Sequence, residues 1–123
     1  MTLGLDATHQ VRSTKARVDA IRAVATPAAL VVAQLLDFAN RTEADLVGGT
    51  AAPLHDPCVI AWLLAPHLFQ ARPCDLQVET GAALTLGHTA VEFRLKDPAR
   101  ATVQWVTRAD ADGVFALIAE RLA

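Results

Sequence analysis

Apolar residues recur at helical spacing in the first third of the chain, and this pattern predicts two helices. The first begins after a cap at Ser13 or Thr14 and ends just before Pro27, because the residue ahead of a proline disfavours helical backbone. The second has Pro27 at its first position, where no hydrogen bond is lost, and runs to Asn40. Residues 41–54 lose the helical period and contain glycine and proline, so they are predicted to form a long loop.

Two further helices are predicted nearer the C-terminus. The third takes Asp56 as its cap and Pro57 as its first residue, and it stops at Pro66. Asp110 or Asp112 caps the fourth, whose apolar side chains form one broad stripe. All four helices have an apolar face and therefore need a partner surface.

The remaining apolar residues have the patterns of strands. Residues 1–7 are short and apolar, which predicts a buried strand. After Pro73, residues 74–79 alternate between apolar and polar side chains. The same alternation in residues 91–95 and 101–105, on either side of a turn at residues 97–100, predicts a half-exposed hairpin.

Charge excludes several classes of partner. The chain has 11 Lys and Arg against 13 Asp and Glu, a formal net charge of -2, and so lacks the basic excess needed to bind a polyanion. We therefore expect no nucleic acid and no membrane as partners. The sequence has no apolar run of the about 20 residues that a membrane span needs, and its N-terminus does not resemble a secretory leader. A cytoplasmic location is expected.

Composition also bears on domain organisation. The length of 123 residues allows one unit, residues 1–123. The apolar fraction of 53% and the mean hydropathy of +0.31 are high for so small a chain, and they are typical of a piece of a larger core. Cys58 and Cys74 are expected to be buried thiols. An alternative for Cys58, near the start of a helix, is a reactive thiol with a lowered pKa.

His55 and Asp56 are the strongest candidates for chemistry, because an imidazole and a carboxylate are adjacent where a loop meets a helix. In one interpretation Asp56 only caps the helix and His55 is an ordinary loop side chain. In the other, Asp56 offers oxygen atoms to a hard cation such as Ca²⁺ and His55 transfers a proton. The residues alone leave both open.

Several motifs, in order, resemble the inosine-uridine nucleoside hydrolase family. The run APLHDPC at residues 52–58, followed by residues 61–69, is similar to the family's C-terminal signature. Residues 4–10, 78–81 and 84–89 are similar to further segments of it. This resemblance covers the whole chain. It implies an α/β fold, as the C-terminal piece of a mainly parallel-sheet domain with helices and a C-terminal β-hairpin.

The resemblance also implies an activity, which is the N-glycosidic hydrolysis of ribonucleosides to ribose and free base. In the family a calcium ion orients and acidifies the attacking water. By similarity, Asp56 is a calcium ligand that also contacts the ribose, and His55 lies against the base and protonates it as it leaves. His55 is thus the expected catalytic residue, and both residues are expected to bind substrate.

The family's aspartate-rich N-terminal motif has no counterpart in residues 1–123. One carboxylate cannot replace the 6–8 oxygen atoms that calcium takes, so we expect no tight calcium binding by this chain alone. Two hypotheses follow: a partial nucleoside hydrolase, or a catalytically incompetent, truncated product that acts as a self-associating or interaction module. The apolar composition supports the expectation of a homo-oligomer.

Overall fold

We describe a computed structural model that covers residues 1–46 and 48–123 with their side chains and residue 47 as backbone alone. These described residues form five helices and four strands. In chain order they are β1 (Thr2–Leu3), α1 (Leu5–Thr8), α2 (Lys15–Ala23), α3 (Pro27–Val47), α4 (Asp56–Leu64), β2 (Phe69–Val78), β3 (Thr89–Glu92), β4 (Val103–Ala109) and α5 (Ala111–Leu122). Short 3-10 turns at Pro66–Leu68 and Pro98–Arg100 connect some of them. The α/β class predicted from the sequence is confirmed.

The four strands form one mixed sheet in the order β1-β4-β2-β3. β1 pairs in parallel with β4, and Thr2 lies opposite Trp105. β2 is antiparallel to both of its neighbours, β4 and β3. The sheet therefore places the N-terminus of the chain beside its last strand.

The hairpin predicted between residues 91–95 and 101–105 has a different pairing in the structure. β3 and β4 lie on opposite sides of β2, and the antiparallel hairpin is the one between β2 and β3. The long β2 makes this possible, because its first part pairs with β4 and its last four residues pair with β3. Alternation identifies a half-exposed strand but not its neighbour.

The four predicted helices are present, but α3 is longer than expected. It continues past Asn40 to Val47, through a segment that contains four polar residues, and it ends at Gly48, whose φ of 70° is left-handed. Part of the loop predicted for residues 41–54 is therefore helical. The apolar period fades there because most of these residues are exposed.

The strand predicted for residues 1–7 is also shorter in the structure. It stops at Leu3, and α1 follows from Leu5. Gly4 lies between them, against Trp105; a β-carbon built on Gly4 would come within 2.5 Å of the Trp105 ring. This close approach requires glycine, and it brings the chain out of the sheet and into α1.

The core lies where the helices meet β4. Val11, Val18, Ile21, Val106 and Val114 are fully buried there. α2 packs against α3 and α5, and α4 packs against α5. None of the helices in the described part of the chain has the length and apolar character of a membrane span.

Candidate functional site

His55 occupies the N-cap position of α4, and Asp56 is the first residue of that helix. The prediction that Asp56 is the cap is therefore wrong by one residue. Both side chains are exposed. The turn before the helix thus presents an imidazole and a carboxylate side by side to any molecule that binds there.

The side chain of His55 is held by α1. Its Nδ1 lies 2.8 Å from the hydroxyl of Thr8, which is itself buried. The ring of His9 lies close by, with its centroid 5.4 Å from that of His55 and the two planes tilted by 51°. Thr8 and His9 are distant from His55 in the sequence, and the fold brings the three side chains together.

α1 is in turn fixed to β4 by the side chain of Gln10. Its amide nitrogen donates to the carbonyls of Asp6 and Thr107, and its amide oxygen accepts from the backbone of Ala109. The indole of Trp105 also donates to the Asp6 carboxylate at 3.2 Å. These bonds fix the position of α1 relative to β4. They thereby also fix the positions of Thr8 and His9.

The loop that leads into His55 is fixed by a second set of hydrogen bonds. The Asn40 amide oxygen accepts from the backbone of Ala52 at 2.7 Å, and the backbone of Ser13 donates to the Ala52 carbonyl at 2.9 Å. The backbone of Leu54 donates to the carbonyl of Val11 at 2.8 Å. The loop on the His55 side and the segment on the Thr8 side therefore share one framework.

Asp56 also borders a cavity of about 500 Å³ between α4 and α5. Apolar side chains of the two helices make up most of its wall, with Asp56 and Arg121 as its charged residues. An apolar groove of this kind suits a hydrophobic side chain or helix better than a sugar.

Within the described residues, no group of three or more His, Cys, Asp or Glu side chains is placed to hold a metal ion. Asp56 can offer one carboxylate, whereas calcium takes about 6–8 oxygen ligands. Among the described residues, Asp56 could therefore serve as one ligand of a larger site.

The two cysteines are buried and free, as predicted. The Cys58 thiol donates to the carbonyl of Leu54 at 2.9 Å, and burial raises its pKa to about 11. The alternative of a reactive thiol with a lowered pKa is therefore wrong. Burial overcomes any effect of the nearby helix start.

Comparison with known proteins identifies the family. A family profile described as inosine-uridine preferring nucleoside hydrolase matches residues 1–116. The chain belongs to this family. The nucleoside hydrolase match includes His55 and Asp56, together with the segments that hold them.

Individual nucleoside hydrolases are similar over the same region. A pyrimidine-specific ribonucleoside hydrolase, RihA, of Shewanella sp. (strain ANA-3) is 46% identical over 123 residues, which cover 98% of this chain and 38% of the relative. A purine-preferring ribonucleoside hydrolase from Gardnerella vaginalis has the same fold, with a TM-score of 0.78, 24% identity, and coverage of 96% of this chain and 39% of that one. A plant nucleoside hydrolase gives a TM-score of 0.77 at 21% identity, covering 98% and 40%. The chain therefore spans well under half the length of the nucleoside hydrolases it matches.

Sequence reasoning missed the residues that support the candidate site of this nucleoside hydrolase chain. Thr8, Ser13 and Asn40 have no unusual pattern, and the sequence predicts Ser13 and Asn40 only as residues at the ends of helices. One available signal was the similarity of residues 4–10 to the family. This similarity identifies the segment that contains Thr8 as relevant without knowledge of its contacts.

Proposed function

We propose that residues 1–123 are the part of a ribonucleoside hydrolase that contributes His55 and Asp56 to its active site. Family membership supports hydrolysis of the N-glycosidic bond as the reaction. The observation that carries the proposal is the placement of His55 and Asp56 at the exposed start of α4, with His55 held by Thr8. An active site requires functional groups that the scaffold holds in fixed positions, and the start of α4 provides the imidazole of His55 and the carboxylate of Asp56 in this way.

In this reaction the bond between the anomeric carbon and the base nitrogen breaks, and a water oxygen bonds to that carbon. The departing base takes up a proton. We assign that proton donation to His55, because an imidazole is the side chain most often used for general acid catalysis near neutral pH. The exposure of His55 supports this assignment, since a base can reach its ring.

Asp56 is assigned to the sugar. Its carboxylate can accept hydrogen bonds from ribose hydroxyls, and it can supply one oxygen ligand to a calcium ion. The other ligands, and the group that takes the proton of the attacking water, would come from outside residues 1–123. The match of this chain to 38% of the RihA sequence is consistent with such a division.

Pyrimidine ribonucleosides are the substrates we propose for the complete enzyme. RihA of Shewanella sp. (strain ANA-3), at 46% identity, is described as pyrimidine-specific. A second RihA of that description, from Enterobacter sp. (strain 638), is 40% identical over 121 residues. The purine-preferring Gardnerella enzyme is more distant, at 24% identity.

Self-association is a second candidate role, and exposed apolar residues favour it. α3 exposes Leu35 and Phe38, and α4 exposes Ile60 and Leu63, each with more than half of its surface accessible. Apolar faces of this kind are typical of interfaces rather than of free monomer surfaces. A second copy of the chain would cover them in a homo-oligomer.

The proposed activity is tested in a fusion in which residues 1–123 replace the matching segment of the Shewanella RihA. We expect the fusion to hydrolyse cytidine and uridine faster than inosine, with release of ribose and free base. A fusion that folds, binds calcium and hydrolyses none of the three would contradict the proposal. Residues 1–123 without a partner should show no turnover in millimolar calcium, well below the about 1 s⁻¹ of ordinary enzymes.

A further inference from the structure

Thr8 is the residue whose side chain bears most directly on His55. It is the last residue of α1, it is 5% exposed, and it lies 47 positions before His55 in the chain. Its hydroxyl oxygen is 2.8 Å from Nδ1 of His55. At this distance one of the two groups donates a proton and the other accepts it.

The carbonyl of Leu5, one helical turn earlier, also lies near the Thr8 hydroxyl, at 3.4 Å. This distance is longer than the 2.5–3.0 Å of ordinary O–H···O hydrogen bonds, so the contact with Nδ1 of His55 is the principal one.

We propose that Thr8 is a positioning residue for His55. By its hydrogen bond with Nδ1 it fixes the plane of the ring and leaves Nε2 as the nitrogen available to a bound nucleoside. The use of Nε2 toward a substrate rests on the proposed function. The orientation of the ring rests on the hydrogen bond alone.

The two ends of this hydrogen bond are anchored to one framework. Gln10 holds α1 to β4, and Asn40 holds the loop before His55 to the segment that follows α1. The neighbouring ring of His9 occupies one side of His55. Thr8 and His55 therefore keep their separation without help from a ligand, which is the preorganisation that a positioned side chain requires.

Three variants test the proposal in the 123-residue chain. Thr8→Val removes the hydroxyl and keeps the shape, Thr8→Ser keeps the hydroxyl, and Thr107→Val is the matched control. The Thr107 hydroxyl donates to the carbonyl of Gln70, so its loss leaves His55 unaffected. Far-ultraviolet circular dichroism establishes that each variant is folded.

The readout is the long-range ¹H–¹⁵N spectrum of the histidine rings at about pH 8.5, where an ordinary imidazole is neutral. We expect a single tautomer of His55 in the parent chain, in Thr8→Ser and in Thr107→Val, and a mixture of both tautomers in Thr8→Val. A mixture of tautomers in the parent would overturn the proposal. So would identical spectra for the parent and Thr8→Val.

The same variants in the fusion with the Shewanella RihA give a kinetic readout. Thr8→Val should lower kcat for uridine by about 10-fold to 100-fold, as small displacements of a catalytic group do, while Thr8→Ser restores it. KM should change by less than about threefold, because the lost hydroxyl does not touch the substrate. An active fusion in which Thr8→Val keeps the parent kcat would overturn the positioning role.

The spectra and the kinetics separate the two proposals. A parent fusion that binds calcium but hydrolyses nothing would reject the proposed function, and the tautomer would still decide the role of Thr8. If the parent fusion is active and the His55 spectrum is the same in the parent and in Thr8→Val, the positioning role is rejected. The proposed function is then retained.

Discussion

Asn40 and Ser13 are joined by two hydrogen bonds. The Ser13 hydroxyl donates to the Asn40 amide oxygen at 2.7 Å, and the Asn40 amide nitrogen donates to the Ser13 carbonyl at 2.8 Å. The same amide oxygen accepts from the backbone of Ala52, in the loop that leads to His55. One side chain on α3 thereby links the two segments that meet at the candidate site.

Asn40→Ala should destabilise the chain by about 2–3 kcal/mol, because it leaves partly buried donors and acceptors without partners. Urea denaturation followed by circular dichroism measures the change. Thr42→Ala is the matched control on the same helix, since Thr42 is exposed and donates only to the carbonyl of Phe38. The control should stay within about 0.5 kcal/mol of the parent. Equal stabilities for both variants would contradict the role of Asn40.

Gly4→Ala should cost about 1–3 kcal/mol of stability, as overpacking does. The added methyl would come within 2.5 Å of the Trp105 ring, so β1 or the indole must move. Tryptophan fluorescence should shift, and the denaturation midpoint should fall. Gly81→Ala is the control, because its added carbon would come no closer than 3.5 Å to its neighbours. An unchanged midpoint and emission spectrum for Gly4→Ala would refute this account of the contact.

The stability of the chain should depend on Cys58 at alkaline pH. Burial raises the pKa of this thiol from 9.0 to about 11 in the folded state. Between these values the unfolded chain releases a proton that the folded chain keeps, so the free energy of unfolding falls as pH rises. The contribution of Cys58 to the free energy of unfolding is therefore fully present below pH 9 and decreases as the pH rises to about 11.

Comparison of the parent with Cys58→Ala over pH 8–11 isolates this effect. The stability advantage of the parent should shrink toward alkaline pH by at most about 1.4 kcal/mol per pH unit. Cys74 is also buried, but it is present in both proteins, so its contribution cancels. A difference that stays constant over the whole range would show that Cys58 titrates normally in the folded chain.

The local rules of helix formation predicted much of this fold. α3 begins at Pro27, as predicted, and Asp110, one of the two aspartates predicted to cap the last helix, is the cap of α5. The side chains of Thr26 and Asp110 each accept a backbone hydrogen bond at the start of their helix. These features depend on neighbouring residues only. The C-terminal end of α3 was missed because Arg41, Thr42, Glu43 and Asp45 interrupt the apolar period of the helix.

The tertiary partners could not be predicted in the same way. The pairing of β3 and β4 with opposite sides of β2 depends on the whole sheet, which alternation does not encode. His55 and Asp56 stood out because an imidazole and a carboxylate are adjacent where a loop meets a helix, within the run at residues 52–58 that resembles the family. Thr8 and Asn40 did not, because their importance comes from contacts with residues that are distant in the chain.

The chain should self-associate through the apolar residues of α3 and α4. Light scattering at high micromolar concentration should give a mass above the 13.1 kDa monomer. Leu35→Lys together with Leu63→Lys should lower that mass, because both side chains are more than half exposed and their replacement costs little in the core. Leu84→Lys, in an exposed loop at 96% accessibility, is the control and should leave the mass unchanged. A parent chain that remains a monomer would disprove this.

The central claim is that His55 and Asp56 have different tasks in one reaction. In the Shewanella fusion, Asp56→Ala should weaken calcium binding and abolish hydrolysis of every substrate, since it removes a metal ligand and a ribose contact together. His55→Ala should leave calcium affinity nearly intact. His67→Ala is the matched control, because His67 lies in the exposed turn after α4.

The most direct measurement is the ratio of turnover on uridine to turnover on a nitrophenyl riboside, in the parent fusion and in His55→Ala. Uracil needs a proton to leave and nitrophenolate does not. We predict that His55→Ala lowers the uridine rate by about 10²-fold to 10⁴-fold and the nitrophenyl riboside rate much less. An equal loss on both substrates would contradict the account.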